Sequence, residues 1–229
     1  MSWPKNKIWL LLFPAILLTA CGEDHALKKE HFYLAPENMG WLPADTLPET
    51  FWMRDNNGIT YSYTLSTEDH YMNKSWSSVL GINTRMSFNE HHYKEYRSPN
   101  GSAFHISLTA GWPPFGDELY VSVMGTSFAW DLGLKTLSRV EAGEMYLSRG
   151  MTETGYDEHQ KILSPVEMLD TLRAGGTVYQ DVLHFTLLDL PGGTPNPWRV
   201  IQIYLAKEWG LVRYDLACGI RYERTIPNI

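Results

Sequence analysis

A carboxylate is followed directly by two imidazoles at Glu90-His91-His92, with His105 beyond a turn signal, Pro99-Asn100-Gly101. Such side chains on neighbouring strands are the donors of a Zn²⁺-type site, so strand register decides whether they meet. With Pro99-Asn100-Gly101 as a three-residue loop, Pro fits the first turn position and Gly the left-handed one. Ser98 then faces Ser102, Tyr96 faces Phe104, Glu95 faces His105 and His92 faces Leu108. His91 and His92 point to opposite sides, His92 joins the apolar side of Phe104, Ile106 and Leu108, and His105 joins the other. A two-residue loop at Pro99-Asn100 would instead put Glu90, His92 and His105 on one face. The turn chemistry favours the longer loop, so neither a metal nor a cofactor is expected.

The acidic pairs Asp117/Glu118 and Asp157/Glu158 invite comparison with a glycosidase, which needs two carboxylates flanking a sugar at about 5–10 Å. Neighbours in a loop do not supply that geometry, and both pairs read as solvated turn residues. The chain has no Gly-x-Ser-x-Gly elbow, Ser-x-x-Lys, Walker loop, Gly-x-Gly-x-x-Gly or His-Glu-x-x-His, so no catalytic residue is assigned. Aromatic side chains are the stronger feature. Beyond residue 20 the chain holds seven Trp, thirteen Tyr and seven Phe. Trp112 beside Pro113-Pro114, Trp198 beside Pro197 and Trp209 in a turn are the candidate ligand-binding residues, each weighed against a packing role.

These side chains follow a distinctive N-terminus. Lys5 and Lys7 precede an apolar run from Ile8 to Leu18, and no acidic residue appears before Glu23. The pattern is that of a signal peptide, and the run is shorter than the roughly 20 apolar residues that span a bilayer as a helix. It closes on Leu18-Thr19-Ala20-Cys21, which resembles the lipobox of bacterial lipoproteins. The resemblance implies that residues 1–20 are removed, that the Cys21 thiol carries a diacylglycerol and that its amino group is acylated. The membrane is then a partner through the N-terminal lipid. Gly22, where inner-membrane members of that family have aspartate, favours the outer membrane; Gly22-Glu23-Asp24 also resembles the acidic tether of some surface lipoproteins, so the face occupied stays open.

Without the leader the chain has 209 residues, enough for one ordinary domain, and a formal charge of −9, because the leader takes two of the 19 basic residues and none of the 26 acidic ones. An acidic chain without a basic cluster is a poor match for phosphate backbones, and nucleic acid is not an expected partner. Cys218 is the one cysteine left after Cys21. No disulfide links side chains within the folded domain, and Cys218 is expected to be buried as a small hydrophobe.

Residues 21–30 read as a lipidated tether and 31–50, with Pro36, Pro43 and Pro48 among isolated apolar residues, as an extended stretch laid over the domain. Phe51-Trp52-Met53-Arg54, the turn Asp55-Asn56-Asn57-Gly58 and the alternating Ile59 to Leu65 predict a hairpin. Strands are predicted at Phe104–Leu108, Leu119–Met124, Met145–Leu147, Thr177–Leu188, Trp198–Leu205 and Leu211–Tyr214, with a turn at Pro191-Gly192-Gly193. Ser164-Pro165-Val166-Glu167, followed by Leu169 and Leu172, predicts a short helix over 164–173 ended by Gly175-Gly176. The closing stretch, Tyr204-Leu205-Ala206-Lys207 before Gly210-Leu211-Val212, is similar to that of all-β envelope lipoproteins.

The expected fold is all-β: an antiparallel sandwich or partly closed barrel over 31–229 with at most one or two short helices. The expected function is a lipid-anchored, non-enzymatic module that binds an envelope protein or glycan. A carrier of an apolar ligand in an open barrel, and a glycan-acting hydrolase, are the alternatives. A deep apolar cavity would favour the carrier and a groove with paired carboxylates the hydrolase.

Overall fold

A computed structural model of the protein describes residues 28–79, 82–142, 145–148, 166–187 and 196–226. Cys21, Asp157/Glu158, Ser164-Pro165 and Pro191-Gly192-Gly193 lie outside the described residues. The described chain is all-β with one short 3-10 helix, Pro36–Trp41. Its strands are β1 (Lys28–Phe32), β2 (Thr50–Asp55), β3 (Thr60–Val79), β4 (Ile82–Arg97), β5 (Ala103–Thr109), β6 (Glu118–Val123), β7 (Thr126–Asp131), β8 (Thr136–Ala142), β9 (Met145–Ser148), β10 (Val166–Ala174), β11 (Thr177–Thr186), β12 (Val200–Ala206), β13 (Gly210–Leu216) and β14 (Arg221–Thr225). They form one sheet in the order β10-β11-β12-β13-β14-β2-β3-β4-β5-β6-β7-β8-β9, with β1 alongside β4. Sequence neighbours are sheet neighbours nearly throughout, because short turns favour antiparallel hairpins.

Compact packing divides the described residues into two units, 28–30 with 75–79 and 82–87, and His31–Lys74 with the described residues from Phe88 onward. In the smaller, Arg85 and Glu30 form an ion pair. The larger holds the core. Strict alternation along β5 and β6 puts Phe104, Ile106 and Leu108 opposite Val123, Val121 and Leu119, all six fully buried. The sheet curls until β7 meets β11 and β12: Phe128 stacks on Phe185 at 4.5 Å, and Thr126 Oγ1 donates to the carbonyl of Val200 at 3.3 Å. The result is a partly closed barrel with aliphatic and aromatic side chains packed inside it. Across it, the buried hydroxyls of Tyr63 and Tyr214 pair at 3.1 Å, and Tyr63 also meets Ser102 Oγ at 2.9 Å. Buried hydroxyls that find each other avoid the desolvation cost of being left unmatched.

The stretch over 31–50 packs against the main core. Leu34, Trp41 and Leu42 are buried in the main core, while Tyr33 stays exposed. Two features differ: Pro36–Trp41 winds into 3-10 turns, and strand pairing already begins at Lys28, within the expected tether.

The predicted helix at 164–173 is instead a strand. β10 pairs with β11 from Val166↔Phe185 to Ala174↔Thr177, and Gly175 and Gly176, at φ +53° and +86°, make the two-residue hairpin turn that favours left-handed backbone. Asp170 has no partner in the ladder, and the residue across from it, Asp181, takes φ +49°. This irregularity lets Leu169 and Leu172, an odd number of residues apart, pack against one apolar cluster with Tyr179 and Val182. A disturbed strand has imitated a helical period. Cys218 is exposed rather than buried, since it lies past the end of β13 in the turn to β14, where alternation no longer carries side chains inward.

Candidate functional site

The loop chemistry at Pro99-Asn100-Gly101 sets the geometry of the histidines. Ser98 N–H donates to Ser102 O at 2.9 Å, Gly101 takes φ +86°, and the ladder pairs Tyr96↔Phe104, Glu95↔His105 and His92↔Leu108. The three-residue loop and its register are those read from the sequence. His105 therefore lies on the opposite face of the sheet from His92, between Tyr120 at 4.9 Å and Tyr93 at 5.7 Å. His91 shares that side, with Nδ1 2.8 Å from Thr109 Oγ1 and its ring 4.8 Å from Tyr71. Burial and the hydrogen bond to Glu95 push the Tyr93 hydroxyl up to about 12.

Glu90 and His92, two residues apart on β4, share the other face. A third group joins them there that the sequence reading missed: His70, from the neighbouring β3. Glu90 Oε1 lies 3.0 Å from His70 Nε2 and 3.1 Å from His92 Nε2. The two imidazole rings stack at 3.9 Å. Glu90 Oε2 accepts the backbone N–H of Leu34 at 2.9 Å. Burial opposes the Glu90 carboxylate, but the Leu34 N–H and the two imidazoles outweigh it and hold its pKa below the ordinary carboxylate value. One step further along β4, the buried Lys94 ammonium reaches Pro43 O at 3.1 Å, Asp45 at 2.6 Å and Glu68 at 3.1 Å. Hydrogen bonding to Lys94 lowers the Asp45 pKa. The stripe thus alternates in sign, and each charge has a partner. Short-range pattern gives no signal for His70: Glu68, His70 and Met72 are out of step with Tyr61, Tyr63 and Leu65, and the polar run from Ser66 resembles a strand end.

The three tryptophans do not converge. Trp112, between β5 and β6, and Trp209, in the β12–β13 turn, lie at one end of the sheet, and Trp198, ahead of β12, at the other. Trp198 is 60 % exposed and Trp112 47 %; Trp112 meets Phe115 edge-on at 5.2 Å. Trp209 is the most engaged, edge-on to Tyr179 at 5.5 Å and 5.3 Å from the Arg224 guanidinium. Asp117 is not the solvated turn residue expected. It is buried and accepts from Ala35 N, Asn38 Nδ2 and Gly111 N at 2.8, 2.8 and 3.2 Å, which ties the N-terminal stretch to the β5–β6 connection. Glu118 accepts from Ser138 Oγ at 2.6 Å. A half-open cleft of about 270 Å³ is lined by Arg54, Asp55, Asn56, Gly175, Arg221, Glu223 and Thr225.

Two other histidines set a pH response. Burial lowers the pKa of His105 and of His184 from the ordinary 6.5, and His184 stacks flat on Tyr204 at 4.1 Å. The folded state then binds fewer protons than the unfolded one, so stability is present above the unfolded pKa and falls as pH drops below it. Urea midpoints measured between about pH 7.5 and pH 5 are expected to decline, and His105→Gln to flatten the decline; an unchanged slope would contradict the assignment.

No family model, curated protein or solved structure matches the chain.

Proposed function

We propose that the protein is a lipid-anchored binding module of the bacterial cell envelope, held at the outer membrane through Cys21 and contacting an envelope protein or glycan. The observation that favours a binding surface over a carrier is the ring packing inside the barrel. Phe51, Tyr63, Tyr96 and Phe104 pack ring against ring at 5.2–6.3 Å, and Phe128 meets Phe185 across the barrel. A carrier needs that volume for its ligand, and a hydrolase needs a free pair of carboxylates, whereas Asp117 is committed to holding backbone. What the fold leaves open is surface, and the exposed Trp112 and Trp198 are of the type that dominates binding hot spots. The lipobox resemblance supports the anchor: confinement to a membrane plane raises effective concentration against anything else held there.

Cross-linking in intact cells followed by capture of the anchored protein tests this reading. An envelope component is expected to co-purify with the native chain, and either Trp198→Ser or the pair Trp112→Ser/Trp209→Ser to lower its recovery by about tenfold or more, in line with loss of a hot-spot aromatic. Equal recovery with both variants would contradict it.

A further inference from the structure

We propose that His70, Glu90 and His92 form a binding site for a divalent late first-row cation, Zn²⁺ being the reference ion. The site does not depend on the anchoring reading, since all three residues lie in the folded β unit. Its donor atoms lie within 4.8 Å of one another, with the carboxylate oxygen 3.0 and 3.1 Å from the two imidazole nitrogens. Tetrahedral Zn²⁺ with ligands at about 2.0–2.2 Å spaces its donors by roughly 3.3–3.5 Å, so small rotations of three side chains admit the ion.

Three further observations favour it. Strand alternation aims Glu90 and His92 the same way, and the adjacent β3 adds His70, so the backbone sets the convergence rather than one flexible loop. The second oxygen of Glu90 is fixed by Leu34 N–H at 2.9 Å, the kind of outer contact that orients a ligating carboxylate. Access is open on one side: the His70 side chain is 59 % exposed, against 18 % for Glu90 and 21 % for His92. That side leaves the fourth position to water or to a donor from a partner. Two imidazoles and one carboxylate suit Zn²⁺, Ni²⁺ or Cu²⁺ and disfavour Ca²⁺ and Mg²⁺, which take oxygen.

The test uses the full chain in detergent, without a histidine tag, stripped by chelator and titrated calorimetrically with ZnCl₂. One Zn²⁺ per chain is expected, undisturbed by excess Ca²⁺. His70→Ala, His92→Ala and Glu90→Gln are each expected to weaken binding by at least about 10- to 100-fold, the loss seen when even an outer-shell partner of a metal is removed. His91→Ala and His105→Ala should leave it unchanged, because both lie on the other face. Since His70 is more than half exposed, its replacement spares the core, and His70→Cys, which restores a zinc ligand, is expected to recover binding that His70→Ala loses. Absence of a stoichiometric site in the native chain, or affinity unaltered by His70→Ala and His92→Ala, would overturn the proposal and leave a hydrogen-bonded His-Glu-His triad.

Discussion

Phe128→Ala is expected to cost about 3–5 kcal/mol, the range for truncating a buried phenylalanine, which is a large share of the roughly 5–15 kcal/mol that holds a domain together. The ring is fully buried and lies between Val121 of β6 and Val140 of β8 in the ladder. Across the barrel it stacks on Phe185 of β11 at 4.5 Å and 15°. Removing it opens a hole between two parts of a curled sheet, each held by its own ladder, so neither collapses readily to fill the space. Urea denaturation with an unchanged slope measures the loss. Val178→Ala, at a 53 % exposed site on β11, should stay within about 0.5 kcal/mol of the native chain. A loss below about 1 kcal/mol for Phe128→Ala would mean that the sheet does not close on itself at this ring.

Much of this fold was legible because β structure writes its period locally. Phe104, Ile106 and Leu108 alternate, Pro99-Asn100-Gly101 specifies its own loop, and together they fixed a register that the ladder reproduces pair for pair. The Asp55 to Gly58 turn was equally explicit: Asp55 Oδ1 accepts from Asn57 N and Ile59 N at 2.9 and 2.8 Å, so the turn is closed by its own side chain.

Other parts were hidden because they depend on distant partners. The extent of β3 past Leu65 was masked by a polar run whose side chains find counterions only once β4 is alongside: Glu68 meets Lys94, and His70 meets Glu90. That is why the candidate cluster was half visible. Glu90 and His92 stood out by spacing, His105 was correctly separated by register, and His70 required a strand pairing that short-range pattern does not encode. The helix reading at Val166 to Leu172 failed for a related reason, since a backbone irregularity at Asp181, on the partner strand, changes which side chains face the same way. Asp117 looked like a solvated loop carboxylate because the groups that bury it, Ala35 N–H and the Asn38 amide, come from the distant N-terminal stretch.

The reading of function rests most on Cys21. Several acyl chains, each contributing about 0.8 kcal/mol per buried CH₂, hold a protein to a bilayer where one chain is marginal; without the thiol the diacylglycerol has nothing to bond to, so Cys21→Ser removes the attachment at its source. The effect expected is complete rather than graded: the native chain follows the membrane fraction, and the variant yields no acylated N-terminus. The most direct measurement is the mass of the N-terminal peptide of the native protein taken from its envelope. The account predicts a peptide that begins at Cys21, carries diacylglycerol on sulfur and a fatty acyl group on its amino nitrogen, and is missing from Cys21→Ser. A native chain recovered in the soluble fraction with an unmodified Cys21 thiol would contradict it.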